Sequence, residues 1–141
     1  MTPKEYLGQS YRLKERIDQL VGEIGNMRIL AMSVKAAGYD AHYNATRPTE
    51  AAFEKTLERI DEYEIKLSER VSLLVELKKQ IYSVISVVSD PDEQMVLHYR
   101  YIDNLTWEHI GDKLHADTHT VRRWHDRALA HVRVPDEPII I

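Results

Sequence analysis

Two apolar series, each stepping alternately by four and three residues, fill most of the first ninety positions and leave little choice of fold. The first runs Tyr6, Ser10, Leu13, Ile17, Leu20, Ile24, Met27, Ala31, Val34, with Ser10 as its polar member. The second runs Phe53, Leu57, Ile60, Glu64, Leu67, Val71, Leu74, Lys78, Ile81, Ile85, Val88, with Glu64 and Lys78 as polar interruptions. Such a repeat keeps every member on one stripe of an α-helix, as in a coiled-coil seam. The pattern predicts two helices of about 36 and 40 residues, roughly 54 and 60 Å long. Charges such as Glu54, Glu58, Glu62 and Lys66 lie off the seam. Their mixed signs mark a solvated exterior rather than a nucleic-acid arm.

Local signals set the ends. Thr2, Pro3 and Glu5 form a capping-box start, with proline at the first helical position. Gly22 and Gly25 either allow close helix contact or simply weaken a middle turn, at about 1 kcal/mol each relative to alanine. Gly38-Tyr39-Asp40 ends the first helix, Ala41–Pro48 reads as a polar connector, and Thr49 is the expected cap of the second helix. Two long helices with so short a connector should fold back as an antiparallel hairpin over residues 1–89. A hairpin buries one stripe per helix, yet Leu73, Leu77, Tyr82 and Val84 flank the second seam. They require a covering surface, either the carboxy-terminal module or a second copy. Long thin hairpins commonly self-associate, so a homodimer is the expectation.

Composition closes off several classes. The 141 residues contain no cysteine, which excludes disulfides, thiolate nucleophiles and cysteine zinc sites. Five glycines and five prolines are too few for an all-β chain of many tight turns. The amino terminus lacks the apolar core of a secretory signal and no run reaches membrane-span length, so a soluble cytoplasmic protein is expected. Residues 1–90 carry 13 basic and 14 acidic side chains, and residues 91–141 carry 6 and 9. Against this acidic background, Thr118 to Arg133 holds four arginines and only Asp126 in opposition. Phosphate contacts depend on local charge, so this short stretch can still bind DNA.

The last third of the chain reads as three short helices. Asp90, Pro91 and Glu93 repeat the capping-box pattern, and proline in second place should stop the preceding helix near Ser89. A helix from Asp92 to about Ile102 would place Met95, Val96, Tyr99 and Ile102 on one face. Thr106 caps Trp107–Leu114, His115-Ala116 turns, and Asp117 caps a last helix from Thr118 to about Val132, ended by Pro135. Two helices with so short a turn make a helix-turn-helix. Ile110, Leu114, Val121 and Trp124 should face inward, while Gly111 is small where the helices approach. The outward face then holds Thr118, His119, Thr120, Arg122, Arg123 and Arg127. In a major groove such a helix reaches base edges with its first residues and phosphates with its flanks. The all-α reading is therefore a helical hairpin at 1–89, a helix-turn-helix module at 90–134 and a tail at 135–141.

The stretch TWEHIGDKLHADTHTVRRWHDRAL resembles region four of the sigma-70 family of bacterial transcription initiation factors. The matches are Thr106, Glu108, Ile110, Leu114, Val121, Arg122, Arg127, Ala128 and Leu129. Val96, Leu97, Arg100 and Tyr101 match the family's lead-in. The resemblance implies double-stranded DNA as partner, contacted by Thr106, Thr118, His119, Thr120, Arg122, Arg123 and Arg127, and RNA polymerase as a possible second partner. His115 stands where the family has glycine, and Thr118, His119 and Thr120 replace its charged residues, so the usual −35 promoter element is not the expected target. The whole layout, from YLGQSYRLKERID onward, is similar to small Gram-positive phage and prophage proteins of the ArpU and RinA type, regulators of late gene transcription.

Catalysis and metal chemistry find little support. His115 and His119 are separated by a helix start, His125 and His131 do not share a face, and neither a phosphate loop nor a nucleophile elbow is present. No catalytic residue, metal ligand or cofactor is implied, and the histidines read as surface or DNA-facing groups. Trp107 and Trp124 read as packing residues. The leading reading is a sequence-specific transcription regulator. Its alternatives are an RNA polymerase-binding accessory protein that does not read DNA, and the DNA-recognition subunit of a phage packaging machine.

Overall fold

The computed structural model describes the backbone of residues 1–40 and 46–141 and the side chains of 1–33 and 50–141. The chain is all-α: α1 (Pro3–Asp40), α2 (Thr46–Ser86), α3 (Pro91–Leu97) running on into a π-helical turn (His98–Ile102), α4 (Trp107–Leu114) and α5 (Thr118–Ala130). The amino-terminal capping box is formed: the Thr2 amide donates to Glu5 Oε2 at 3.0 Å, and the Glu5 amide donates to Thr2 Oγ1 at 3.2 Å. Helix α2 starts at Thr46, three residues before the expected cap. Pro48 therefore falls in its first turn, where a missing amide hydrogen breaks no helical bond. The side chains of Val34 and Thr49 and the connector residues 41–45 lie outside the described residues. At its far end α2 stops at Ser86, earlier than Ser89, where a tight turn from the Val88 amide to the Ile85 carbonyl closes it.

Two compact units divide the chain: Met1–Lys14 with Leu73–Ile141, and Glu15–Ser72. In the second unit Ile24, Ala31 and Ile60 are buried, with Met27, Phe53, Tyr63 and Leu67 packed on them. Arg28 pairs with Glu64 across the hairpin, which accounts for that polar interruption of the seam. Leu57 and Val71, both seam positions, are exposed. A Cβ at Gly22 or Gly25 would meet nothing within 4 Å, so neither glycine serves close helix contact.

In the first unit the opening turns of α1 lie against the closing turns of α2, and the carboxy-terminal segment covers them. Tyr6, Leu7, Leu13, Leu77, Ile81 and Ile85 are buried together with Val96, Leu97, Ile110 and Val121. Each such side chain contributes about 1.5–3 kcal/mol through removal from water. Leu77 is thus covered within the chain, whereas Tyr82 stays exposed. The other two polar interruptions sit here. Ser10 is buried, donates to the Leu7 carbonyl at 3.1 Å and accepts from Asn104. Lys78 reaches the Ile102 carbonyl at 2.8 Å, a cation at the free carbonyl end of the π turn. The tail is docked as well: Gln9 donates to the Ile139 carbonyl at 2.8 Å and accepts from the Ile141 amide at 3.0 Å. Gln80 accepts from the Ile139 amide at 2.9 Å and donates to the Glu137 carbonyl at 3.1 Å.

The third helix departs from its expected face. The π turn, closed by the Asp103 amide on the His98 carbonyl at 3.1 Å, takes an extra residue per turn. The buried residues are Glu93, Val96, Leu97 and Tyr101, at ordinary helical spacing but on another face than expected, while Met95 is exposed and Tyr99 and Ile102 are half-buried. Among the described residues no helix is long and apolar enough to cross a membrane.

Candidate nucleic-acid interface

Helix α4 begins where Thr106 accepts the His109 amide at 3.2 Å, and it ends at His115 in the left-handed region, φ 53° and ψ 45°. That conformation costs a residue with a Cβ about 1–2 kcal/mol, so histidine here closes the turn that glycine would close without strain. The Ala116 amide bonds back to the Gly111 carbonyl at 2.9 Å, an oxygen that also accepts the His115 amide, and so closes the helix end. A Cβ on Gly111 would lie 2.5 Å from the Ala116 carbonyl oxygen. The close approach read from the sequence is therefore an approach of helix to turn backbone. Asp117 then caps α5, accepting the Thr120 amide at 2.6 Å. The Thr120 hydrogen bonds, aided by the positive charge of His119 and Arg123, hold its carboxyl below the usual carboxylate range.

Val121, His125 and Ala128 form the buried stripe of α5. At about 100° per residue, His119, Arg123 and Ala130 lie opposite that stripe, and Asp126 lies with them. Thr118 and Arg122 fall on one flank, Thr120 and Arg127 on the other. His119, Arg122, Arg123 and Arg127 are all exposed, as is Thr106 at the start of α4. The arginines are thus on the surface, but their surroundings differ. Arg127 Nε lies 3.9 Å from Glu93 Oε1, and Arg122 extends over the Trp107 ring at 5.7 Å from its centroid. Arg123 makes neither kind of contact among the described residues.

Three residues have roles that the sequence did not announce. Glu93 is buried and does not complete a capping box; it turns inward to His131 Nδ1 at 2.7 Å, tying α3 to the end of α5. His125 is buried, which corrects the surface reading of the histidines. Burial holds it neutral, with its pKa lowered to about 4, and it meets Tyr101 Oη at 2.6 Å. Burial also pushes the Tyr101 phenol up to about 12, so Tyr101 donates and His125 Nε2 accepts. The imidazole hydrogen is then on Nδ1, which faces Asp126 Oδ1 at 3.5 Å. Asp126 is the third residue, a carboxylate on the outward face among the arginines. Asp126 was visible as the lone acidic residue of the arginine stretch, though not its approach to His125; nothing in the local sequence marks the inward turn of Glu93.

Trp107 is half-buried, its ring edge-on to His125 at 4.7 Å with Arg100 stacked 4.0 Å from its centroid. It is a packing residue that also carries a cation. No curated protein and no solved structure matches the chain. Residues 90–134, spanning α3 through α5, match the family model of sigma-70, region 4, and so carry a helix-turn-helix of a DNA-binding, non-enzymatic kind.

Proposed function

We propose that the protein is a sequence-specific transcription regulator that lays α5 in the major groove. The observation that carries this reading is the start of α5: a capped helix behind a closed turn, with exposed Arg122 and Arg123 one turn in. Thr118, His119 and Thr120 reach base edges, while Thr106, Arg122, Arg123 and Arg127 meet phosphates or guanine. The layout of helical hairpin plus region-four-like module supports a place among phage or prophage regulators of the ArpU and RinA type. Selection of bound duplexes from a random pool, followed by titration at several salt concentrations, tests the reading. Arg122→Ala/Arg123→Ala is expected to weaken binding at least tenfold and to flatten the salt dependence by nearly two units. Unaltered binding in that variant would overturn it.

A second copy of the chain is the proposed cover for the hairpin. The core of the Glu15–Ser72 unit is thin, yet Ile29 is 67% and Ile65 61% exposed, with Val21, Leu30 and Met32 also on the surface. A two-fold dimer would offer two recognition helices to a symmetric or repeated site. Sedimentation equilibrium is expected to give twice the chain mass for the wild type and the chain mass for Ile29→Glu/Ile65→Glu. A monomeric wild type rules the dimer out.

A further inference from the structure

A cleft of about 400 Å³ opens beside the Arg122 flank of α5, lined by Lys4, Tyr11, Arg100, Trp107, Arg122 and Asp126. Lys4, Gly8 and Tyr11 stand at i, i+4 and i+7 and so share one face of α1. Gly8 leaves that wall low, since a Cβ there would meet nothing within 4 Å. Tyr11 Oη donates to the carbonyls of Arg100 at 2.6 Å and Leu105 at 3.1 Å, fastening α1 to the chain that leads into α4. Arg100 is held between two rings, 4.6 Å from the centroid of Tyr11 and 4.0 Å from that of Trp107, and donates to the Leu105 carbonyl at 3.0 Å. Three cations thus face one carboxylate, and the histidine in the wall is uncharged. Among the described residues neither Lys4 nor Arg122 has an ion-pair partner.

We propose that this cleft takes a phosphate of the DNA backbone beside the groove entered by α5, with Lys4 supplying a contact that the helix-turn-helix alone lacks. The inference rests on the DNA-binding reading, because the Arg122 wall belongs to the recognition helix and the Trp107 wall opens α4. Fixed cations on aromatic faces suit a phosphodiester: their positions are set before binding, so little side-chain freedom is lost on contact. Such a contact adds affinity without sequence preference.

The test is the salt dependence of binding to a mixed-sequence duplex for wild type, Lys4→Gln, Lys4→Arg and Lys79→Gln. Lys79 is exposed on α2 beside Glu76, away from the cleft lining, and controls for charge removal alone. Lys4→Gln is expected to lower the slope of log K against log salt by about 0.9, the loss of one phosphate contact. Lys4→Arg and Lys79→Gln should keep the wild-type slope, and all four should prefer the same selected sequence and unfold at the same denaturant midpoint. If wild type binds and Lys4→Gln matches Lys79→Gln, the cleft assignment is overturned and the DNA-binding reading stands. Saturable quenching of tryptophan fluorescence by inorganic phosphate with no change of slope in Lys4→Gln would make the cleft a small-anion site and overturn the DNA assignment. A wild type without DNA affinity overturns both.

Discussion

Gly111→Ala is expected to destabilise the first unit by about 2–3 kcal/mol and to abolish DNA binding before it abolishes helicity. On an exposed helical surface the same change would stabilise by up to about 1 kcal/mol, because alanine has the higher helix propensity. Sterics reverse the sign here. The added Cβ would sit 2.5 Å from the Ala116 carbonyl oxygen, a backbone atom with no rotamer to change. Relief requires moving the turn, which also breaks the 2.9 Å bond from the Ala116 amide to Gly111 and shifts the Asp117 cap of α5. Gly25→Ala is the matched control, since its Cβ enters open space. Urea unfolding of the two variants should move in opposite directions. Equal stabilisation by both would mean that α4 and the turn are not packed as described.

The Gly111 contact was legible because glycine inside a short helix sacrifices helix propensity, a sacrifice that a close backbone approach at a three-residue turn makes good. The seams were legible for a related reason: a 4,3 period sustained over nine positions in one series and eleven in the other fits one geometry. Their polar breaks were visible but not their partners, since Ser10 with Asn104, Glu64 with Arg28 and Lys78 with Ile102 are pairings between distant parts of the sequence. Periodicity reports only which residues share a face. The face of α3 was missed in phase and not in period: Glu93, Val96, Leu97 and Tyr101 recur at helical spacing, and Met95, Tyr99 and Ile102 lie on the other side. Glu93 misled on other grounds. Its spacing from Asp90 satisfies a capping box, but a buried carboxylate pairing with His131 won over a solvent-exposed bond to the backbone. The outward α5 arginines were readable from the helical period alone, whereas the cleft with Lys4 joins positions about a hundred residues apart and has no local signature.

Acid should loosen the same unit through His125. Its pKa is about 4 in the folded chain against the usual 6.5, chiefly because burial beside the rings of Tyr101 and Trp107 disfavours the charged ring. Asp126 pulls the other way, favouring the charge, and Arg100 and Lys4 oppose it. Between pH 6.5 and 4 the unfolded chain therefore binds a proton that the folded chain refuses. Stability is fully present above about pH 6.5, falls as pH drops, and levels off below about 4, with a total loss on the order of 3 kcal/mol. The side chain is only 4% exposed, so salt should screen the effect little. Carboxylates titrate in the same range, which makes the variant comparison essential. His125→Gln keeps an acceptor for the Tyr101 hydroxyl but has no proton to gain. Denaturant unfolding at pH 7.5 and pH 4.5 should show a smaller acid loss in His125→Gln than in wild type, by about 2 kcal/mol or more. Parallel losses in the two proteins would mean that the imidazole is not held neutral against Tyr101, and the tautomer assigned from their 2.6 Å bond would fall with it.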